Sequence, residues 1–339
     1  ANRHGCITGA TGTGKTVTAA DSLGGAQAGN YNLIQPTGLT GTITAKPLTV
    51  TYTGVDKVYD GLDTATVNTS DNRITGDSLS IVRTANFVNG IGIADKNVAY
   101  SGSTVIAKNI SITGASLSGT DALNYALAST SGTASATITP ASLVISGIVG
   151  VDKTYNKTTD AQLSVTGLLE NGLVSGDVVT VAPTGTFADY NAGLGKAVTI
   201  ASIYTGRDVK NYTITGQTST AASINKRPVS VSAVGVVSKV YDGTTDMNGV
   251  NITVAAVTGV TASGVATDDT VDVSGTGSFS SAHVSRDANG NVLANKSYTL
   301  ADLQLSGGSA NNYMIVGGAT SISGTDGRID PKTLTLTGF

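Results

Sequence analysis

The chain has 339 residues, a net charge of −3 and only 13% charged residues, so it is long enough for about three domains and lacks the basic face that nucleic acid requires. One cysteine, Cys6, and two histidines, His4 and His283, exclude a disulfide framework, a multi-cysteine metal site and a histidine-rich zinc site. With 43 glycines, 40% hydrophobic residues and no apolar run of about 18, the composition predicts short strands and tight turns, not disorder or a membrane span.

Two landmarks recur along the chain. Lys57-Val58-Tyr59-Asp60-Gly61 returns as Lys153-Thr154-Tyr155-Asn156-Lys157 and as Lys239-Val240-Tyr241-Asp242-Gly243. Asn-Tyr pairs end in Tyr31, Tyr125, Tyr212 and Tyr313. A period of roughly 90 to 100 residues divides the chain into a partial unit at 1–45, whole units at 46–139, 140–225 and 226–330, and a tail at 331–339 that opens a further unit.

In chain order, residues 1–20 lack the continuous apolar core of a signal peptide, so a secreted form would be cut from a longer precursor. Gly9-Ala10-Thr11-Gly12-Thr13-Gly14-Lys15-Thr16 then satisfies the phosphate-loop pattern. A working phosphate loop follows a hydrophobic strand and opens a helix, and the Gly24-Gly25 pair downstream suits no helix. Lys15, Lys108, Lys196 and Lys296 each precede an Asn-Tyr tyrosine by 16 or 17 residues, which makes Lys15 the start of a repeated strand. The nucleotide-binding alternative rests on this match alone.

Each whole unit opens at a proline junction (Pro47, Pro140, Pro228, and Pro331 in the tail) and runs into an alternating stretch such as Leu48-Thr49-Val50-Thr51-Tyr52. Such period-two patterning predicts half-buried strands. After the Lys-x-Tyr stretch come a Gly/Asp turn (Gly76-Asp77, Gly176-Asp177, and less clearly Asp268-Asp269), a strand ending at Phe87, Phe187 or Phe279, a lysine-initiated strand, the Asn-Tyr stretch and a closing strand. Differences in unit length fall between the Phe and the next Lys, where Arg286 to Val292 carries an Asn-Gly hairpin signal. The junctions hold no Gly/Ser tether, and proline adds no slack. The expected fold is all-β, a rod of tandem small β-sandwich (Ig-like) units, with β-grasp-like units as the alternative.

Several residues invite chemistry. Asp287, Asn289 and Asn291 have the alternate spacing of a calcium loop but lack its closing acidic ligand, so a hairpin turn is the plainer reading. Asp268, Asp269 and Asp272 form a second calcium candidate of the same kind. Lys57 with Asn124, and Lys239 with Asn312, have the chain order of an intramolecular isopeptide crosslink. Tyr59, Tyr155 and Tyr241 read as core rings whose hydroxyls reach backbone partners, the alternative being a sugar-stacking platform. No Gly-x-Ser-x-Gly elbow is present and no histidine recurs, so no hydrolase is expected.

The two landmarks, together with Gly193-Leu194-Gly195-Lys196-Ala197-Val198-Thr199, the stretch from Leu23 to Leu33 and the junction Ile43 to Val50, resemble the YDG/MBG-type repeats of large bacterial surface proteins, the filamentous-haemagglutinin-like adhesins. Asn156-Lys157 departs from the pattern where Asp-Gly is expected. The resemblance implies a secreted or cell-surface stalk or adhesive segment without catalytic residues, of the kind found in biofilms, facing a surface or matrix ligand such as a polysaccharide. The partial unit at 1–45 and the tail strand at Leu334-Thr335-Leu336-Thr337 each lack a pairing partner, so head-to-tail strand pairing between copies is a further expectation.

Overall fold

A computed structural model describes residues 11–233, 237–247, 252–258 and 260–337. The fold is all-β, with tandem repeats built from short strands and single turns of 3-10 helix. The chain forms two compact units, each assembled across the sequence repeats. Unit one comprises residues up to Leu143 with Asn171–Thr180 and Thr205–Thr215; unit two comprises Val144–Glu170, Val181–Tyr204 and the chain from Gly216.

Unit one begins with Gly12–Thr16 paired antiparallel to Thr40–Ile43. The repeat that follows has two kinds of pairing. Val50–Val55 pairs antiparallel with Thr66–Asp71, and Ser80–Val88 pairs antiparallel with Lys108–Ser118, which also takes Gly132–Ala136 on its other edge. Alternation of buried and exposed residues along Ser80–Val88 and Lys108–Ser118 puts Ile81, Phe87, Ile110 and Ile112 inside. Two short pairs are parallel and join the two halves of the repeat: Lys46–Leu48 lies beside Tyr125–Leu127, and Lys57–Val58 beside Ile138–Thr139. Leu48, Leu79, Ile81, Ala115 and Tyr125 form one core cluster.

Unit two repeats these pairings. Lys153–Thr154 runs parallel to Ser219–Asn225, and Ser238–Val240 parallel to Ile322–Asp330. Arg227–Ala233 pairs parallel with Tyr313–Ile315, and Lys296–Ser306 pairs antiparallel with both Asp272–Phe279 and Ile322–Asp330. One core cluster joins Tyr155, Phe187, Val198 and Ile224 of one repeat to Val229, Val271 and Tyr313 of the next. A second cluster holds Met247, Phe279, Tyr298, Leu300 and Ile329.

Where strands cross closely, glycine is required by space. A Cβ on Gly54 would sit 2.3 Å from the Ser135 carbonyl oxygen, and one on Gly150 would sit 2.6 Å from that of Ala221. The two glycines hold equivalent places in successive repeats, so the crossing is a property of the repeat itself.

Candidate functional site

The first lysine of each Lys-x-Tyr stretch fastens its own repeat. Lys57 Nζ donates to the carbonyls of Leu62 and Thr64, Lys153 Nζ to those of Thr158 and Asp160, and Lys239 Nζ to those of Thr244 and Asp246. Lys57 and Lys153 also lie 5.7 and 5.5 Å from the ring centres of Phe87 and Phe187, within cation–π range. The side chain three residues on caps the turn: Leu62 N donates to Asp60 Oδ1, Thr158 N to Asn156 Oδ1 and Thr244 N to Asp242 Oδ1. Hydrogen bonding to Lys239, with help from Thr244, pulls the Asp242 carboxyl down to about 2.

In the first two repeats the tyrosine of the same stretch reaches into the following repeat. In unit one the Tyr59 hydroxyl donates to Asp177 Oδ2 at 2.7 Å, and the Tyr212 hydroxyl donates to the same oxygen at 2.6 Å. Lys96 Nζ holds the other oxygen, Oδ1, at 2.7 Å. The two rings meet edge to face with centroids 5.6 Å apart. Tyr212 in turn accepts the Val174 amide, and Asn211 accepts the Val98 amide through Oδ1 while its Nδ2 donates to Asn97. The Asp177 side chain is fully buried, yet three donors satisfy its charge, as a buried carboxylate requires. Burial raises the Asp177 carboxyl, but the hydrogen bonds from Lys96, Tyr212 and Tyr59 outweigh it and hold the group below its ordinary value. Burial, then the bond to Asp177, pushes the Tyr59 and Tyr212 hydroxyls up.

Unit two contains the same joint made from the next pair of repeats. Tyr155 and Tyr313 hydroxyls converge on Asp269 Oδ2 at 2.9 and 2.5 Å, with ring centroids 5.5 Å apart. Tyr313 accepts the Ala266 amide, and Asn312 accepts the Ala192 amide. The ammonium group comes from a different place. Where unit one has Asp95-Lys96-Asn97, this repeat has Asp189-Tyr190-Asn191, and Tyr190 packs against the Tyr155 ring. Lys157, standing where the pattern expects Gly, supplies the cation instead, 3.1 Å from Asp269 Oδ1. It does so in a left-handed conformation, φ 63°, that matches Gly61 at φ 78°.

The structure therefore corrects the expectation for Tyr59 and Tyr155: both rings are buried, but their hydroxyls find carboxylates of the next repeat, not backbone groups of their own. Tyr241 is not a core ring, being 37% exposed. The carboxylates at the centre of both joints belong to the Gly/Asp turn, which the sequence marks only as a turn. Single 3-10 turns ending at Asn30, Asn124, Asn211 and Asn312 present each Asn-Tyr pair, and these turns are too short to leave a periodic signal.

The other candidates resolve as follows. Lys57 is engaged with Asp60, Leu62 and Thr64 while Asn124 accepts the Thr11 amide, so the crosslink pair is not brought together. Lys239 and Asn312 likewise have separate partners. Asp287 accepts from the Asn289 and Asn291 amides and the Asn291 side chain, the arrangement of a turn whose carboxylate faces donors. Among the described residues, no cluster of three His, Cys, Asp or Glu side chains could hold a metal ion. Gly9 and Ala10 lie outside the described residues. The rest of the phosphate-loop pattern is a bulged strand: the pairing slips between Gly12 and Lys15 as it does between Gly193 and Lys196. Gly14 and Gly195 provide the same left-handed residue, at φ 66° and 59°. The glycine before Lys15 thus serves a bulge.

The repeats match the YDG domain three times, at residues 44–132, 139–221 and 225–323. The chain belongs to the YDG domain family. No curated protein matches it. Its first two YDG repeats place the Tyr of their signature at the contact with the following repeat, with the first Lys and the Asp or Asn kept for the turn itself.

Proposed function

We propose that this chain is a non-enzymatic structural segment of an extracellular bacterial surface protein, a stalk or adhesive fibre that holds its repeats in fixed succession and faces a surface or matrix ligand. The observation that carries the reading is the twice-built joint, in which two tyrosines and one ammonium group close on a buried carboxylate. In both joints these polar groups are spent on each other, as a structural fastening requires. Short junctions that carry strand pairing straight through a proline support the same reading.

Extension of single chains under force tests it. Joined repeats should rupture in steps that release more than one repeat of about 90 residues, or more than about 300 Å of chain. Independent rupture of three equal repeats would overturn the reading. Surface placement is checked separately, by protease release of YDG-containing fragments from intact producing cells.

A further inference from the structure

The first whole repeat carries a polar groove of about 680 Å³, within the range of about 300–1,000 Å³ usual for small-ligand sites. Its floor is one face of the paired strands Lys108–Ser118 and Gly132–Ala136. Asn109 stands opposite Ser135, and Ser111 opposite Thr133, in the antiparallel ladder. All four alternate with buried positions such as Ile110 and Ala136, so they gather on the outer face as neighbouring cross-strand pairs. One wall is a hairpin in which Val88 bridges Ala94 and Asn89 Oδ1 accepts the Ile91 and Ile93 amides. Gly90 and Gly92 line that wall, so a ligand meets backbone there with no side chain in the way. The strand Val50–Val55 adds Tyr52, the one aromatic ring of the lining.

The next repeat serves as an internal control. Its stretch from Phe187 to Lys196 is shorter than that from Phe87 to Lys108 and, among the described residues, pairs no such hairpin. Ala197 and Ala221 stand opposite each other in the places of Asn109 and Ser135, and Ile148 takes the place of Tyr52. The strand pairing of the repeat therefore needs none of these polar groups.

The lining consists of amides and hydroxyls, which both donate and accept hydrogen bonds. Among the described residues it contains no charged side chain, so it offers no counter-charge to a phosphate, sulfate or uronate group. Such a set suits a neutral ligand whose own groups play both roles, as the hydroxyls of a sugar ring do. A peptide strand is the poorer fit, because strand addition uses a free sheet edge and this is a sheet face. We propose that the groove binds a neutral oligosaccharide, with Asn109, Ser111, Thr133 and Ser135 hydrogen-bonding its hydroxyls beside the Tyr52 ring. The proposal rests on the reading of a segment that faces a matrix ligand, and it names the class of that ligand.

Calorimetric titration of the full chain tests it, with short oligomers of glucose, galactose, mannose and N-acetylglucosamine, with oligogalacturonate and with a Ser/Thr-rich peptide. At least one neutral sugar series should bind with a dissociation constant of about 1 mM or tighter, and oligogalacturonate and the peptide should bind more weakly. Asn109→Ala combined with Ser135→Ala should weaken the sugar by about tenfold or more. The melting temperature of that variant should stay unchanged, since the next repeat already holds alanine at both places. Absence of binding by every neutral oligomer would overturn the proposal. So would a preference for oligogalacturonate or the peptide, or an unchanged affinity in the double variant. Rupture under force reads the joints and titration reads the groove, so failure of the one reading is distinguishable from failure of the other.

Discussion

At the residue scale, one hydroxyl separates a core ring from a fastening. Phenylalanine in place of Tyr59 would fill the same volume and keep the edge contact with Tyr212, but it would leave the buried Asp177 one donor short. A net hydrogen bond to a charged group contributes about 2 kcal/mol. Tyr59→Phe should therefore lower the unfolding free energy of the chain by about that much, read from the urea midpoint at unchanged slope. A change below about 0.5 kcal/mol would mean that Lys96 and Tyr212 alone satisfy the carboxylate. The sequence announced this tyrosine by its recurrence, yet nothing local names its partner, which lies 118 residues away.

At the element scale, the Lys-x-Tyr turn tolerates a departure that the pattern alone makes look damaging. Gly61 and Gly243 meet the left-handed requirement without cost, whereas Lys157 meets it against the steric clash of its own Cβ. The gain is the ion pair with Asp269 that Tyr190 cannot make from the position of Lys96. The two effects have separable signatures. Lys157→Ala keeps the strain and loses the cation, while Lys157→Gly loses both. The alanine variant should be the less stable of the two by about 1 kcal/mol in chemical denaturation, and equal stability would show that the turn carries no strain. The bulge before Lys15 teaches the same lesson. A glycine-lysine-threonine run that fits a nucleotide pattern is explained by the backbone conformation of a strand found again at Gly195.

At the scale of the whole molecule, both joints share one dependence on pH. Asp177 and Asp269 are held below the ordinary carboxyl value of 3.8: burial opposes this, and hydrogen bonds from tyrosines and lysines outweigh it. A depressed acid contributes stability that is present above its unfolded value and lost as pH falls through the folded one. The joint tyrosines run the other way. Burial, reinforced by the bonds to Asp177 and Asp269, raises Tyr59, Tyr155, Tyr212 and Tyr313, the last to about 12. Their contribution is complete below the ordinary value of 10.0 and lost as pH rises through the raised ones. The melting temperature should thus hold a plateau from roughly pH 5 to 10, fall on the acid side below about 4 and fall again on the alkaline side. A melting temperature that stayed level from about pH 10 to 12 would show that the tyrosines are not raised.

The repeat period, the proline junctions, the all-β class and most strand positions were legible in the sequence, because alternation, turn residues and recurrence are properties of neighbouring positions. Ser80–Val88 and Lys108–Ser118 illustrate this, since their buried faces follow directly from period two. The parallel pairings of Lys46–Leu48 and Lys57–Val58 were not legible, nor were the partners of Tyr59 and Asp177. These depend on which distant strands and turns come together, and a hydroxyl or carboxylate has the same local pattern whether it meets water, backbone or a residue of the next repeat. Burial alone made the difference: only when folding removes water from Asp177 and Asp269 must each carboxylate gather two tyrosines and a lysine, and that requirement exists nowhere but in the tertiary structure.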